Sequence, residues 1–278
     1  MHLQGRLGNQ MFQVFVTIAA ALSTGQSFGV YTTAQGNDSD MYWNTVFSEL
    51  RQNLLRPKIK VHVLYTEPDF KYRPFFDKLK TCYGQVCQIN GYFQKYLYFE
   101  PFYNRIKDLL QLNEKRHAFL QTLRPRDWNR TICMHFRLGD YVKLQGTHPL
   151  MPYQYYRDAL ATVLGRHPDA TNVMYFCEPG DVRKVQKKVS MLAPEFPGVT
   201  FEKVPDGLQD FEEMYVMSFC QHHIIANSTF SFWGAYLQDT DSPRTVCYPS
   251  LWFGPEFKLA IDYDTSMFPP TWTWVLCH

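Results

Sequence analysis

Hydrophobic and polar positions in the second half of the chain follow two alternating periods. Short runs of apolar, β-branched and aromatic residues predict strands, and longer runs with an apolar residue every three or four positions predict helices. In chain order the pattern predicts strand 131–136, helix 152–165, strand 172–177, helix 181–192, strand 199–203, helix 209–219, strand 222–227, helix 230–238 and strand 244–248. Strands that alternate with helices predict a parallel sheet with right-handed crossovers, so this half is expected to be Rossmann-like.

The first half of the chain has a less regular pattern. It predicts strands at 2–4, 28–31 and 89–93, helices at 8–23 and 100–112, and a polar loop at 36–40. Within helix 100–112, residues Ile106, Leu109 and Leu110 are expected on one face. The segment Arg124-Pro125-Arg126-Asp127 is typical of a linker. The sequence therefore predicts an α/β domain at 1–125 and a second domain at 126–278.

Composition excludes several classes of protein. A chain of 278 residues with 45% hydrophobic residues can bury a large core, and its length favours two domains. The formal net charge is +2 and no segment is rich in Lys or Arg, so nucleic acid is not an expected partner. No run of about 18 apolar residues is present, so no transmembrane segment is expected. Residues 11–22 are too few for one and lack the basic leader of a signal peptide.

The cysteine and histidine patterns favour neither a disulfide scaffold nor a metal site. Seven cysteines are scattered along the chain, and an odd, dispersed set is typical of buried free thiols. This is the expectation for Cys133, Cys177 and Cys220, whereas a disulfide between Cys82 and Cys87 remains an alternative. The adjacent His222 and His223 lie on a predicted strand, so their rings point to opposite faces and cannot share one ion.

Charged side chains follow the strand predicted at 131–136. The run at 135–142 is HFRLGDYV, in which Gly139 and Asp140 end the strand. Strand alternation places His135 and Arg137 on one side. Ligands of open α/β sheets bind beyond the carboxyl ends of the strands, so Arg137 and Asp140 predict a site for an anion. The alternative is an ordinary surface ion pair, which contributes little to stability.

A second candidate anion site lies at the start of the helix predicted near 230. The free backbone amides of a helix N-terminus attract anions, and Ser228 and Thr229 add hydroxyl groups. Simple capping of the helix by either residue is the alternative, and the two roles are compatible. Asn37, Asn129 and Asn227 begin Asn-x-Ser/Thr sequons, and a glycan on Asn227 would be incompatible with this site.

Four segments of the chain together resemble the α-1,2-fucosyltransferase family, whose members use GDP-fucose. They are GRLGNQMFQ at 5–13, GYFQ at 91–94, HFRLGDYV at 135–142 and CQHHIIANSTFSFWGAYL at 220–237, and they occur in the family's order. The resemblance implies an α/β, GT-B-like fold, with two facing Rossmann-like domains and the active-site cleft between them. It further implies that domain 1–125 binds the acceptor and domain 126–278 binds GDP-fucose.

The resemblance also implies roles for individual residues. Arg137 corresponds to the family's essential arginine on the β-phosphate, where a guanidinium forks onto phosphate oxygens and never deprotonates. His135 is expected near the guanine or its ribose, with a core histidine that bonds a backbone carbonyl as the alternative. Glu178 stands where the family usually has Ser-Asp-Asp, and is expected to accept hydrogen bonds from guanine N1 and N2. The remaining donor-binding residues implied are Arg6, Gly8, Asn9, Asn227, Ser228, Thr229 and Phe230.

The chain departs from the family at Leu138, where a second Arg is usual. Strand alternation points position 138 away from Arg137, so we expect the loss of an auxiliary contact and retained activity. The general base is open between Asp140 and His148, because either could take the proton of the acceptor hydroxyl. A largely dissociative reaction that needs no strong base is a third alternative.

The predicted function is inverting transfer of L-fucose from GDP-β-L-fucose to the 2-hydroxyl of a terminal galactose. No metal or other cofactor is expected, since Arg137 and helix amides take the place of a cation, and the expected partners are GDP-fucose and a galactose-terminated glycan. Transfer to another acceptor position, or a sugar-nucleotide-binding protein without catalysis, are the alternatives. Because bacterial members of the family are cytoplasmic, the same location is expected here, or the Golgi lumen for a trimmed luminal domain.

Overall fold

The computed structural model describes residues 1–31, 42–55, 59–82, 84–240, 242–257 and 265–277. The loop predicted at 36–40, which contains the Asn37 sequon, lies outside them. The chain divides into two compact units, Met1–Thr122 with Asp264–Pro269, and Leu123–Tyr263 with Pro270–His278. The division falls just before the predicted linker. Residues 264–269 group with the first unit, whereas the sequence analysis predicts them to be part of the domain at 126–278.

The first unit is built on one long buried helix, α1 (Leu7–Thr24). Its apolar residues are almost wholly enclosed, as its continuous hydrophobic sequence predicts. The helix ends where Gly25 adopts a left-handed conformation with φ 69° and its amide bonds to the Ala21 carbonyl. The helix predicted at 8–23 is confirmed.

The described strands of the first unit form a small parallel sheet. Strand β1 (Val63–Thr66) pairs in parallel with β2 (Cys87–Asn90). The strands predicted at 2–4 and 28–31 are single parallel bridges, His2 with Tyr31 and Val30 with Leu54. Strand β2 ends at Asn90, earlier than predicted, because the next residue, Gly91, turns the chain with φ 152°.

The described part of the first unit also contains the α-helices α2 (Phe76–Lys80), α3 (Tyr103–Leu109) and α4 (Leu112–Leu120). The helix predicted at 100–112 is present as α3 but is shorter than predicted, because Gln111 adopts φ 49° and separates α3 from α4. The shared apolar face is also wrong in part. Ile106 and Leu110 are fully buried, but Leu109 is 45% exposed.

The second unit contains a six-stranded parallel sheet with helices between its strands. Its strands are β3 (Thr131–His135), β4 (Asn172–Phe176), β5 (Thr200–Lys203), β6 (His222–Ile224), β7 (Val246–Pro249) and β8 (Thr273–Val275). Its helices are α5 (Tyr153–Arg166), α6 (Val182–Leu192), α7 (Asp210–Phe219) and α8 (Thr229–Tyr236). The predicted α/β class with a parallel sheet is confirmed. Strand β8 was missed, since three residues carry little periodicity.

Strand order in this sheet is β5-β4-β3-β6-β7-β8. The chain moves outward from β3 through β4 and β5, then returns to the other side of β3 to begin β6. This reversal between β3 and β6 is the topological switch point, beside which ligands bind in doubly wound sheets. The core beneath it contains Ile132, Met134, Phe136 and Leu138, packed with residues of α5 and α6.

The structure describes the cysteines, the adjacent histidines and the longer helices. All seven cysteines are free thiols, including Cys82 and Cys87. His222 accepts a hydrogen bond at Nδ1 from the Thr245 amide, whereas His223 Nε2 lies 2.9 Å from the Met217 carbonyl oxygen. Across the described ranges, no group of three His, Cys, Asp or Glu side chains is placed to hold a metal ion. None of the helices in these ranges is long and apolar enough to cross a membrane.

Candidate active site

Arg137 lies just beyond the carboxyl end of β3, next to the switch point. Its guanidinium pairs with Glu178 through Nη1 and with Asp140 through Nη2, and its side chain is 12% exposed. The guanidinium carbon also lies 4.9 Å from the centre of the Tyr141 ring. Two carboxylates and one aromatic face therefore fix the cation in one place.

Gly139 explains how the loops after β3 and β4 meet. Its φ is 39°, and a Cβ at this position would lie 2.6 Å from Glu178 Oε2. Its amide donates a 2.6 Å hydrogen bond to Asp181 Oδ2, a carboxylate that is buried. Only glycine combines this conformation with so close a neighbour. Asp181 was missed from the sequence, although an acidic residue at the start of α6 was its available signal.

The structure gives Glu178 a contact that the sequence did not anticipate. It was expected to read guanine, but here one of its oxygens binds Arg137. The parallel pairing of His135 with Phe176 explains the contact, because it brings the ends of β3 and β4 side by side. Recognition of guanine by Glu178 stays a prediction.

His135 is buried at the end of β3, and its ring centre lies 5.8 Å from that of Phe230. Burial, with a smaller contribution from Arg137, lowers the pKa of His135 to about 3, so the ring is neutral. Its Nδ1 has no hydrogen-bond partner in the part of the chain described. A histidine that serves only the core usually has both ring nitrogens hydrogen-bonded or solvated. The unpaired Nδ1 of His135 therefore disagrees with the alternative that His135 is a core residue.

The segment after β6 caps helix α8 and also hydrogen-bonds to two other loops of the second unit. The Ser228 side chain accepts a 3.3 Å hydrogen bond from the Phe230 amide, so the predicted cap is present. The Asn227 side-chain amide donates to the carbonyls of Pro149, at 2.9 Å, and Trp252, at 3.2 Å. Asn227 is 2% exposed, so a glycan cannot occupy it in the folded protein. Thr229 begins α8, which places both hydroxyl groups at its N-terminus.

His148 lies in an aromatic cluster that includes Tyr141, the ring beside Arg137. Its ring stacks on Tyr141 at 4.8 Å with an interplanar angle of 16°, and Phe253 and Phe257 pack at 6.0 and 5.8 Å. Burial lowers the pKa of His148, Asp140 opposes that shift, and Arg137 adds to it. The imidazole is therefore neutral near pH 7, the state that a general base requires.

Leu138, the departure from the family's sequence, is a core residue. It is 7% exposed and belongs to the hydrophobic cluster that contains Phe136. The side chain therefore lies on the opposite side from Arg137, as strand alternation predicts. A second arginine at this position would place its charge in that cluster unless the backbone moved.

In the first unit, the glycine-containing motif forms the turn that opens α1. Gly5 has φ 74°, and a Cβ there would lie 2.3 Å from Asn9 Nδ2. Asn9 Oδ1 accepts a 3.0 Å hydrogen bond from Gln94 Nε2, which joins the first two family-like segments. Gly8 is buried within α1, so Gly5 makes the turn. Arg6 is the exposed N-cap residue of α1.

Comparison with known families identifies the chain. The family model described as glycosyl transferase family 11 matches residues 1–275. The chain belongs to this family and is a glycosyltransferase, which implies a sugar-nucleotide donor and a glycan acceptor. The resemblance inferred from the four segments is confirmed at this level.

Two curated relatives and two solved structures are similar to the chain. An Escherichia coli α-1,2-colitosyltransferase is 25% identical over 282 residues, covering 94% of each chain. The O-antigen biosynthesis glycosyltransferase WbnK of Escherichia coli is 25% identical over 208 residues, covering 71% of this chain and 66% of its own length. Among structures, E. coli ADP-heptose lps heptosyltransferase II has a TM-score of 0.49 at 11% identity, covering 98% and 88% of the two chains. E. coli heptosyltransferase WaaC with ADP has a TM-score of 0.46 at 11% identity, covering 99% and 92%.

Proposed function

We propose that the protein is an inverting galactoside α-1,2-fucosyltransferase that moves L-fucose from GDP-β-L-fucose to the 2-hydroxyl of a terminal galactose. The observation that carries this proposal is Arg137, a guanidinium fixed beside the switch point of the sheet. A leaving nucleoside diphosphate gains negative charge as the glycosidic bond breaks. A cation already held in place stabilises that charge without having to reorganise.

The two carboxylates around Arg137 define how the donor would enter. The guanidinium of Arg137 and the carboxylates of Glu178 and Asp140 together carry a net charge of −1, which repels an incoming diphosphate. Asp140 is the more exposed partner, with half of its side chain accessible, so its ion pair contributes little and is the easier to exchange. We infer that the diphosphate replaces Asp140 on Arg137, while Glu178 keeps the guanidinium oriented.

The amides at the start of α8 would hold the other phosphate oxygens, assisted by the hydroxyls of Ser228 and Thr229. Metal independence is part of the proposal and needs a direct test, because the sequence contains Asp-x-Asp triplets at 38–40, 239–241 and 262–264. Turnover in EDTA should equal turnover without it. A loss of activity that Mn²⁺ reverses would refute metal independence.

The identity of the general base stays open between Asp140 and His148, and a dissociative reaction without a base is the third alternative. Asp140 is bound to Arg137 and would become available only after the diphosphate displaces it. His148 is neutral and held by stacking on Tyr141, so it needs no such exchange. A dissociative reaction would use neither residue.

A second candidate donor is GDP-colitose, since the relative aligned over 94% of the chain is named a colitosyltransferase. Colitose is fucose without the 3-hydroxyl, so the two donors differ in a single group. The deciding experiment offers GDP-fucose or GDP-colitose with lactose and analyses the trisaccharide product by NMR. An α-1,2-fucosyl product supports the proposal. Another linkage refutes the acceptor position, and binding without turnover supports a non-catalytic sugar-nucleotide-binding protein.

Nucleotide recognition is tested without an acceptor. GDP should raise the melting temperature more than UDP, because a ligand that binds only the folded state stabilises it. In Glu178→Gln the difference between the melting-temperature increases with GDP and with UDP should become smaller if Glu178 recognises guanine. If the variant loses GDP and UDP binding alike, Glu178 acts through Arg137 instead.

A further inference from the structure

Glu67, in the first unit, stands outside the four family-like segments and makes an unusual set of contacts. It follows β1 directly, and its Oε2 accepts hydrogen bonds from the amides of Tyr92, at 2.8 Å, and Phe93, at 2.9 Å. Its Oε1 is buried and has no hydrogen-bond partner among the described residues. One carboxylate oxygen thus holds two successive backbone amides.

The loop that Glu67 holds has a conformation it would not adopt freely. Gly91 has φ 152°, and a Cβ there would lie 2.5 Å from Glu67 Cβ. Phe93 has φ 50°, a region that bulky residues rarely occupy. Such backbone persists only where the surroundings determine it, and here the two bonds to Glu67 act together with the packing of the buried Phe93 ring on Phe75 and Tyr98.

The same loop contacts the motif at the start of α1. Gln94 follows the strained Phe93 and donates from Nε2 to Asn9 Oδ1 at 3.0 Å. Asn9 is itself confined by Gly5, whose missing Cβ leaves room for its side-chain amide. A continuous series of contacts therefore runs from Glu67 through the loop and Gln94 to Asn9.

We propose that Glu67 is a positioning residue for the glycosyl transfer: its carboxylate fixes the loop of residues 91–94, and through Gln94 it orients Asn9 toward the sugar of the donor. The second half of this statement rests on the proposed function, which assigns Asn9 to the donor. The first half does not depend on any donor. The two halves are therefore tested by different measurements.

The charge state of Glu67 gives the proposal a pH signature. Burial raises the pKa of Glu67 to about 7, against the opposing effects of the two amides and of Lys95, while Asp69 adds to the rise. Tyr65 and Tyr98 also face the carboxylate. The ionised form accepts hydrogen bonds more strongly than the neutral form. While the carboxyl stays buried, its two hydrogen bonds to the loop should therefore weaken as pH falls through about 7.

The first experiment measures amide hydrogen exchange of the peptide containing residues 91–94 in the wild type, Glu67→Ala and Glu67→Gln. Asp77→Asn is the matched control, an exposed carboxylate of the same unit that pairs with Lys80. Exchange should be at least about tenfold faster in Glu67→Ala, faster by a smaller factor in Glu67→Gln because its neutral carbonyl still accepts both amides but more weakly, and unchanged in the control. Equal protection in all four proteins refutes the positioning role.

The second experiment measures kcat and KM for the donor from pH 5.5 to 8.5, using whichever nucleotide sugar the wild type turns over. A displaced loop typically costs about 10²-fold, so Glu67→Ala should lose about that much in kcat/KM. The wild type should lose activity below about pH 7, and Glu67→Gln should lack this limb. A limb near pH 7 that survives unchanged in Glu67→Gln overturns the proposal, whereas a limb at lower pH belongs to the general base. Absence of GDP-fucose turnover in the wild type instead refutes the proposed donor, and amide exchange still decides the role of Glu67.

Discussion

The loops after β3 and β4 in the second unit and those after β1 and β2 in the first use carboxylates in opposite ways. At the second unit's sheet, Glu178 and Asp140 hold the guanidinium of Arg137. At the first unit's sheet, Glu67 holds two backbone amides. An anionic ligand can replace a carboxylate on an arginine, but it cannot replace the carboxylate that shapes a buried loop. The carboxylates on Arg137 are therefore suited to replacement by a substrate, whereas Glu67 is suited to hold its loop throughout the reaction.

The largest expected effect comes from removing the guanidinium of Arg137, on which the diphosphate would replace a carboxylate. Arg137→Ala should lower kcat by about 10³-fold or more, because an arginine that stabilises a departing phosphate typically contributes that much. Steady-state turnover checks this, with the melting temperature to show that the protein stays folded. Arg137→Lys is the matched variant: it retains the charge but not the fork, and should recover only part of the loss. Near-wild-type turnover in Arg137→Ala would remove the central residue of the site.

Next in size is the general base. A true base should lose 10²-fold to 10⁴-fold in rate, together with the acid limb of the pH profile. Asp140→Asn and His148→Ala are compared at saturating donor and acceptor, in the Glu67→Gln background so that this residue contributes no limb. Because burial lowers the pKa of His148, its limb should lie below the usual histidine range. If both variants retain the limb and most of the rate, the dissociative route is the better account.

A moderate effect is expected at Asp181, which holds the Gly139 amide. Asp181→Ala should unfold more easily by about 1.5–3 kcal/mol, the usual cost of losing a hydrogen bond to a charged group, and should raise KM for the donor. Chemical denaturation and donor titration measure the two effects. Asp181→Asn keeps an acceptor for that amide and should recover most of the stability. Equal losses in both variants would show that the negative charge matters more than the bond.

The smallest predicted effect concerns stability at Glu67. Its pKa is about 7 when folded against 4.5 for the free residue, so the folded protein binds this proton more tightly. The resulting stabilisation against global unfolding, about 3 kcal/mol, arises because no charge is buried; it is full below pH 4.5 and is lost as pH rises to about 7. The two amide bonds change in the opposite direction, because the ionised carboxylate accepts them more strongly. Glu67→Gln lacks the titration, so its melting temperature relative to the wild type should rise between pH 5 and pH 8. A constant difference, as expected for Asp77→Asn, would contradict the raised pKa.

Local sequence predicted most of the second unit, because its central strands are short apolar runs and its helices have clear periodicity. It missed the break between α3 and α4, since nothing marks Gln111 as the residue that would adopt a positive φ. At the site, Arg137 and Asp140 were recognisable as charges at a strand end. Their contact with Glu178 was not, because it depends on the pairing of two strands separated by a crossover. Glu67 was missed for the same reason, since Tyr92 and Phe93 approach it only through the pairing of β1 with β2.

Buried Asn227 has a practical consequence for how the protein is produced. Its side-chain nitrogen holds the carbonyls of Pro149 and Trp252, yet Asn227-Ser228-Thr229 is also an acceptor for N-linked oligosaccharide. In a eukaryotic secretory host that sugar is added to the nascent polypeptide before folding encloses the asparagine. The modified nitrogen could no longer make both contacts, and the sugar would have no room. Secreted material should therefore be retained and degraded during quality control, whereas Asn227→Gln or expression without the secretory pathway avoids the modification.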